Sequence, residues 1–109
     1  MKSALVYWLI GALVTASQAA VPQSASDARA GFAYADQVCS ECHAVRRGER
    51  VSPHERAPAF QVVADAQGMS EMALRVWLQS PHPSMPNLVI REKQSEDVIV
   101  YILSLKQRP

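Results

Sequence analysis

The feature that most constrains this chain is a pair of cysteines, Cys39 and Cys42, followed directly by His43. On a helical turn, positions i, i+3 and i+4 lie on one face, so both thiols and the imidazole would point the same way. Cys-x-x-Cys-His is an attachment motif for c-type haem, in which the thiols form thioethers and the histidine binds the iron. The motif therefore predicts one covalent haem c per chain, with His43 as the proximal iron ligand.

The same cysteine pair has three other interpretations. A thioredoxin-like redox site would need a βαβ pattern around it, whereas the flanking residues predict helix and loop. A structural zinc site needs four ligands, and only His54 and His82 remain among the usual nitrogen and sulfur ligands. A disulfide across two intervening residues would be strained and would leave His43 without a role. Haem attachment is favoured over all three.

The N-terminus has the organisation of a secretory signal peptide. A basic start at Lys2 precedes an apolar run at 4–14, and small and polar residues follow it. An uncleaved anchor is the alternative, but this run of 11 residues is shorter than the ~20 that span a bilayer. We therefore predict a signal peptide at 1–19, a linker at 20–26 and one domain at 27–109. The mature protein is expected in the periplasm and not to span the membrane.

The net charge of the mature chain argues against nucleic-acid binding, and its small size argues for a cofactor in the core. Without Lys2, ten basic and ten acidic residues remain, so the basic excess of a nucleic-acid-binding protein is missing. The loop at 44–58 holds four arginines, which we expect to be solvated, with docking or contact to a haem propionate as the alternative. A mature chain of about 90 residues buries enough apolar surface only with difficulty. We expect the haem to supply much of the core.

Helical periodicity predicts an all-α chain with four short helices and substantial loops. The predicted helices lie at 27–38, 59–66, 70–78 and 92–106. Ser26 and Ser70 are the expected N-caps of the first and third helices. Glycine costs about 1 kcal/mol relative to alanine inside a helix, so Gly31 is expected to mark a close contact with another helix.

Taken together, these features resemble the small bacterial monohaem cytochromes c, the class I cytochromes with histidine and methionine as axial ligands. The resemblance rests on Gly31 eight residues before Cys39, on the 39–43 motif, on the Pro-Met loop at 81–88 and on Tyr101. It implies a cytochrome c fold, in which about four short helices wrap around one covalently attached haem. It also implies that the first and last helices cross near Gly31, with Tyr101 packed there.

The sixth iron ligand has several candidates, namely Met69, Met72, Met85, His54 and His82. Met72 lies in the third helix and Met69 just before it, and both are expected to fill gaps in the core. His54 lies in a polar loop. Met85 lies between Pro83 and Pro86, in a segment too rich in proline to be helical. We predict Met85 as the distal ligand, with His82 as its main rival.

Two further residues are assigned to the haem pocket. The resemblance implies a proline carbonyl that accepts a hydrogen bond from the proximal histidine and so orients its ring; Pro58 is the candidate, with Pro53 as the alternative. Leu74, Trp77 and Leu78 recur at i, i+3 and i+4 and predict a buried stripe. Trp77 is expected to line the pocket by packing, or alternatively to donate its indole N–H to a propionate.

An iron ligated by both His43 and Met85 has no open position for a substrate, which predicts an electron carrier and not an enzyme. Methionine ligation raises the reduction potential. The expected partners are membrane-bound or periplasmic redox proteins, such as an oxidase, a reductase or a dehydrogenase, and the carrier is expected to be a monomer. The alternative is a haem protein with a labile or open sixth site, acting as a peroxidase or binding a gas ligand.

Overall fold

Four α-helices make up the regular structure of residues 26–85 and 88–108, the part of the chain that this computed structural model describes. Helix α1 spans Ala28–Val38, α2 spans Phe60–Asp65, α3 spans Glu71–Gln79 and α4 spans Glu92–Ser104. No strand occurs among these residues, and no helix among them is both long and apolar enough to cross a membrane. The all-α prediction is confirmed, and each helix ends within two residues of its expected bounds. The predicted signal peptide lies outside the described residues.

The helix caps agree with expectation at α3 and differ at α1. The Ser70 hydroxyl accepts a hydrogen bond from the Ala73 N–H at 3.2 Å, as a capping serine does. At α1 the cap is Asp27, whose carboxylate accepts from the Arg29 N–H at 2.8 Å, so the prediction of Ser26 was wrong by one residue. The reason is tertiary, because the backbone N–H of Asp27 is itself held by a carboxylate of α4 at 2.7 Å.

Helices α1 and α4 cross in direct backbone contact at Gly31. A Cβ atom added at this glycine would lie 2.0 Å from the carbonyl oxygen of Asp97 and 2.8 Å from the Cβ of Tyr101. The Phe32 ring packs against the Tyr101 ring with 5.3 Å between centroids. The close helix contact predicted at Gly31 is confirmed, with Tyr101 packed beside it.

The hydrophobic core is built along α4 and closed by the other three helices. Its most buried members on α4 and just after it are Val98, Ile99, Ile102 and Leu105, each at most 3% exposed. Phe60 and Ala64 of α2 and Leu74 of α3 pack in the same cluster. At about 25 cal/mol per Å² of apolar surface removed from water, this cluster is the main stabilising contribution within the polypeptide.

The loop between α1 and α2 is tied to the end of α4. The Tyr101 hydroxyl donates to the Val45 carbonyl at 2.6 Å. The fully buried Gln61 accepts from the Gly48 N–H at 2.9 Å and donates to the Leu105 carbonyl at 2.8 Å. Arg47 donates to the Ser104 carbonyl at 2.8 Å, and its positive charge is favourable at the C-terminus of α4. These hydrogen bonds fix the loop to α2 and to the C-terminal half of α4.

The four arginines of this loop are exposed, as expected for a solvated cluster, and two of them also form ion pairs with other parts of the fold. Arg46 pairs with Asp36 at 3.0 Å and lies over the Phe32 ring, 5.1 Å from its centroid. Arg50 approaches a carboxylate of α2 at 3.6 Å. Their heads remain about half exposed, so each pair contributes at most about 1 kcal/mol. Arg46 and Arg50 therefore attach the loop only weakly to α1 and α2.

Asp97 joins the start of α1 to α4 and should make stability depend on pH. Burial by itself would raise the pKa of this carboxyl, but hydrogen bonds from Lys93 and from the Asp27 N–H, together with the Lys93 charge, hold it below the ordinary value. A lowered folded-state pKa contributes stability that is complete above the ordinary pKa of about 3.9. That stability is lost as the pH falls through the folded-state pKa.

We therefore expect Asp97→Asn to lower the free energy of unfolding at pH 7 by about 1–2 kcal/mol, with a smaller loss below pH 4. Chemical denaturation at several pH values measures both effects. Asp65, whose pKa is also lowered, mainly by hydrogen bonds from Gln107 and Gln61, should leave some pH dependence in the variant. Glu41→Gln, a substitution at an exposed carboxylate, is the matched control. An equal loss at pH 3 and pH 7 would contradict the expectation.

Candidate functional site

The two cysteines and the following histidine lie on one hydrogen-bonded turn that continues from α1. Cys39 caps the helix, its N–H donating to the Ala35 carbonyl at 2.8 Å. The N–H groups of Cys42 and His43 both donate to the Cys39 carbonyl, at 3.2 and 2.9 Å. Both cysteines are free thiols of intermediate exposure. The turn presents two unpaired sulfurs together with an imidazole, the set of groups that covalent haem attachment requires.

The ring of His43 is held in one orientation. Its Nδ1 lies 2.7 Å from the carbonyl oxygen of Pro58. A carbonyl can only accept, so Nδ1 is the donor, and in the neutral tautomer with this bond Nε2 is the nitrogen that can bind a metal. The ring also packs against Phe60, with centroids 5.4 Å apart. Of the two prolines considered, Pro58 makes this hydrogen bond, whereas Pro53 lines the cavity beside the histidine.

Backbone hydrogen bonds bring Pro58 to the histidine. The His54 N–H donates to the Cys42 carbonyl at 3.1 Å, and the Phe60 N–H donates to the Ala44 carbonyl at 2.8 Å. The Ser52 hydroxyl accepts from the Ala44 N–H at 3.0 Å. Together these bonds hold the loop against the 39–43 turn. The Pro58 carbonyl, just before α2, and the Phe60 ring, at its first residue, therefore both contact His43.

The thiol chemistry distinguishes among the interpretations of the cysteine pair. Burial raises the pKa of the Cys39 thiol to about 11, whereas a thioredoxin-like nucleophile needs a lowered pKa. A zinc site made by side chains needs at least three protein ligands. Within residues 26–85 and 88–108, no group of three or more His, Cys, Asp or Glu side chains could hold a metal ion. The donor set of the turn fits haem attachment better than either alternative.

Met85 lies on a short turn that follows α3. An isolated antiparallel bridge joins it to His82, and the imidazole of His82 stacks on the indole of Trp77 with centroids 4.4 Å apart and planes at 17°. All three residues line a cleft of about 190 Å³ that also includes Leu88 and Ile90. Pro86, the predicted brace on the other side of Met85, lies outside the described residues.

Two predictions for α3 and its surroundings were wrong. Trp77 is 57% exposed and Met72 is 68% exposed, although we expected both to be buried. The reason is that α3 packs on α4 through Leu74, which is only 4% exposed, while Trp77 turns toward the segment after the helix. Met69 packs against the core as expected.

The structure groups the predicted site residues into two sets. Pro58 lies with His43, and Trp77 lies with Met85. The cavity beside the histidine (about 380 Å³) and the cleft at the methionine share no lining residue among the described residues. The stack of Trp77 on His82 was not anticipated, because the two residues lie on either side of a helix end and no periodicity connects them.

Comparison with known proteins identifies no matching family, no matching curated protein and no matching solved structure. The chemistry of the 39–43 turn and its hydrogen bond to Pro58 therefore carry the functional interpretation. Both features belong to residues on this chain, and each can be altered separately by mutation.

Proposed function

We propose that this chain is a periplasmic c-type cytochrome that carries single electrons between redox proteins. In this proposal haem c is attached through Cys39 and Cys42, His43 and Met85 ligate its iron, and the helices form a cytochrome c fold. The observation that carries the proposal is the 2.7 Å hydrogen bond between His43 Nδ1 and the Pro58 carbonyl. It prepares the imidazole that follows the Cys-x-x-Cys pair to bind iron through Nε2.

The contacts of His43 favour a ligand over an ordinary surface histidine. A metal-binding histidine usually donates its second N–H to a carbonyl or carboxylate, which fixes the tautomer and makes the ligating nitrogen more basic. Pro58 provides such an acceptor, and Phe60 restricts the ring from the side. When bound, the haem supplies one-electron exchange between ferrous and ferric iron.

Met85 supports the carrier function rather than an enzymatic one. A thioether on the sixth position raises the reduction potential and occupies the place where a substrate or gas would bind. The cleft around it is lined by the apolar side chains of Leu78, Leu88 and Ile90 and by the polar side chains of Gln79, Ser80 and His82. The expected rise in potential therefore depends on the methionine sulfur itself. Encounters between redox proteins are typically small and short-lived, which suits a monomer.

The far-red absorption spectrum of the ferric protein tests this proposal. A weak sulfur-to-iron charge-transfer band should be present in the wild type and absent from Met85→Ala. The control Met72→Ala removes an exposed methionine, and Met69→Ala removes one that packs on the core; both should keep the band. A wild type without the band, with a high-spin spectrum and ready binding of carbon monoxide or cyanide, would replace the carrier with a ligand-binding or peroxidase function.

A further inference from the structure

We propose that His82 is a positioning residue for Met85 and not an iron ligand, and that it acts through its stack on Trp77. This inference rests on the proposed function, since it concerns how the distal ligand is held. Sequence considerations alone leave His82 as a rival ligand three residues from the methionine. The arrangement of the two rings and the bridge gives it a different role.

The turn that carries Met85 follows directly after α3. Helix α3 ends at Gln79, and Ser80 closes it by donating its hydroxyl to the Val76 carbonyl at 2.6 Å. Pro81 and Pro83 flank His82, and neither has a backbone N–H to donate. These two residues therefore donate no backbone hydrogen bond, which gives side-chain contacts a larger share in holding the turn.

The bridge places the two side chains next to each other. Residues directly opposite in an antiparallel pair point to the same face, with Cβ atoms about 4.5–5.5 Å apart. His82 and Met85 form such a pair, and both line the same cleft. Trp77 belongs to α3, which packs on the core, and its indole stacks on the imidazole with ring centroids 4.4 Å apart. The stack therefore fixes the position of the His82 ring relative to α3.

The stack therefore connects the methionine to the folded body of the protein. Without it, the turn keeps its prolines but loses a contact that fixes its position relative to α3. A methionine held less firmly would exchange more readily with an external ligand. Stacked aromatic pairs are strong enough to change such an exchange equilibrium by about tenfold.

Competition by free imidazole for the iron tests this role in the full-length haem-loaded protein. Disappearance of the far-red band with increasing imidazole measures how tightly Met85 is held. We expect His82→Ala and Trp77→Leu each to bind imidazole about tenfold more tightly than the wild type. His82→Phe keeps an aromatic face without a ligating nitrogen and should behave as the wild type. His54→Ala, which removes an exposed loop histidine, should also have no effect.

Contrary outcomes separate this inference from the proposed function. A wild type with covalent haem whose spectrum shows two nitrogen ligands, converted by His82→Phe to another form, would make His82 the ligand. That result would overturn the inference together with Met85 ligation, and it would leave covalent haem attachment intact. Unchanged imidazole binding in His82→Ala would also overturn it while leaving the carrier intact. A wild type without covalent haem would end both proposals. If Trp77→Leu fails to fold, the comparison of His82→Phe with His82→Ala still decides.

Discussion

The Gly31→Ala variant is expected to lose about 3 kcal/mol or more of folding free energy. The added methyl carbon would lie 2.0 Å from the carbonyl oxygen and 2.5 Å from the carbonyl carbon of Asp97. These are backbone atoms of α4, so no side-chain rotation relieves the overlap and the helices must separate. Separation would also disturb the packing of Phe32 on Tyr101. Chemical denaturation followed by circular dichroism measures the loss.

The sign of this effect makes the test specific. At an ordinary helix position, replacing glycine by alanine stabilises the fold by about 1 kcal/mol. A loss of folding free energy in Gly31→Ala would therefore come from the overlap at the helix crossing. Gln37→Ala, at an exposed position of the same helix, is the control and should be neutral or slightly stabilising. A Gly31→Ala protein as stable as the wild type would show that α1 and α4 do not approach as closely as the structure places them.

Replacing both cysteines, Cys39→Ser with Cys42→Ser, should abolish covalent haem attachment completely. The chain contains two cysteines in total, so no other thiol can form a thioether. In a denaturing gel stained for haem, the wild-type band should carry the stain and the double variant should not. The expected change is from nearly full to no covalent occupancy, because noncovalent ligation by His43 does not survive denaturation.

Single variants refine this experiment. Cys39→Ser and Cys42→Ser each leave one sulfur on the turn, and each should retain some covalent haem with an altered absorption maximum in the reduced pyridine complex. The variant Val51→Ser, at a highly exposed loop position, serves as an expression control. Haem that is absent from the wild type after coexpression with a c-type haem attachment system would refute the proposed cofactor.

Local features of the chain could be predicted well from its residues. Helix bounds follow from apolar periodicity and from caps such as Ser70, which act within a few residues. Gly31 predicted the helix crossing because glycine lowers the stability of a helix interior. Its presence there indicates a position where a second helix approaches too closely for a side chain. The Cys-x-x-Cys-His spacing likewise predicts a shared face, since the geometry of a single turn determines it.

Side-chain environments that depend on distant residues could not be predicted in the same way. Periodicity places Trp77 with Leu74 on one stripe, but it does not show which part of that stripe meets α4. Trp77 instead stacks on His82 beyond the helix end. The cap of α1 moved from Ser26 to Asp27 because α4 supplies an acceptor for the Asp27 N–H.

The sequence by itself determined the helical class, the four helices, the glycine at the helix crossing and the grouping of Cys39, Cys42 and His43 on one turn. These depend on interactions within a turn or on a residue whose conformational cost demands an explanation. The tertiary structure decided which proline carbonyl meets His43, how the arginine loop is tied to α4 and what surrounds Met85. Those contacts join residues far apart in the chain, and their geometry arises only when the helices pack around a common core.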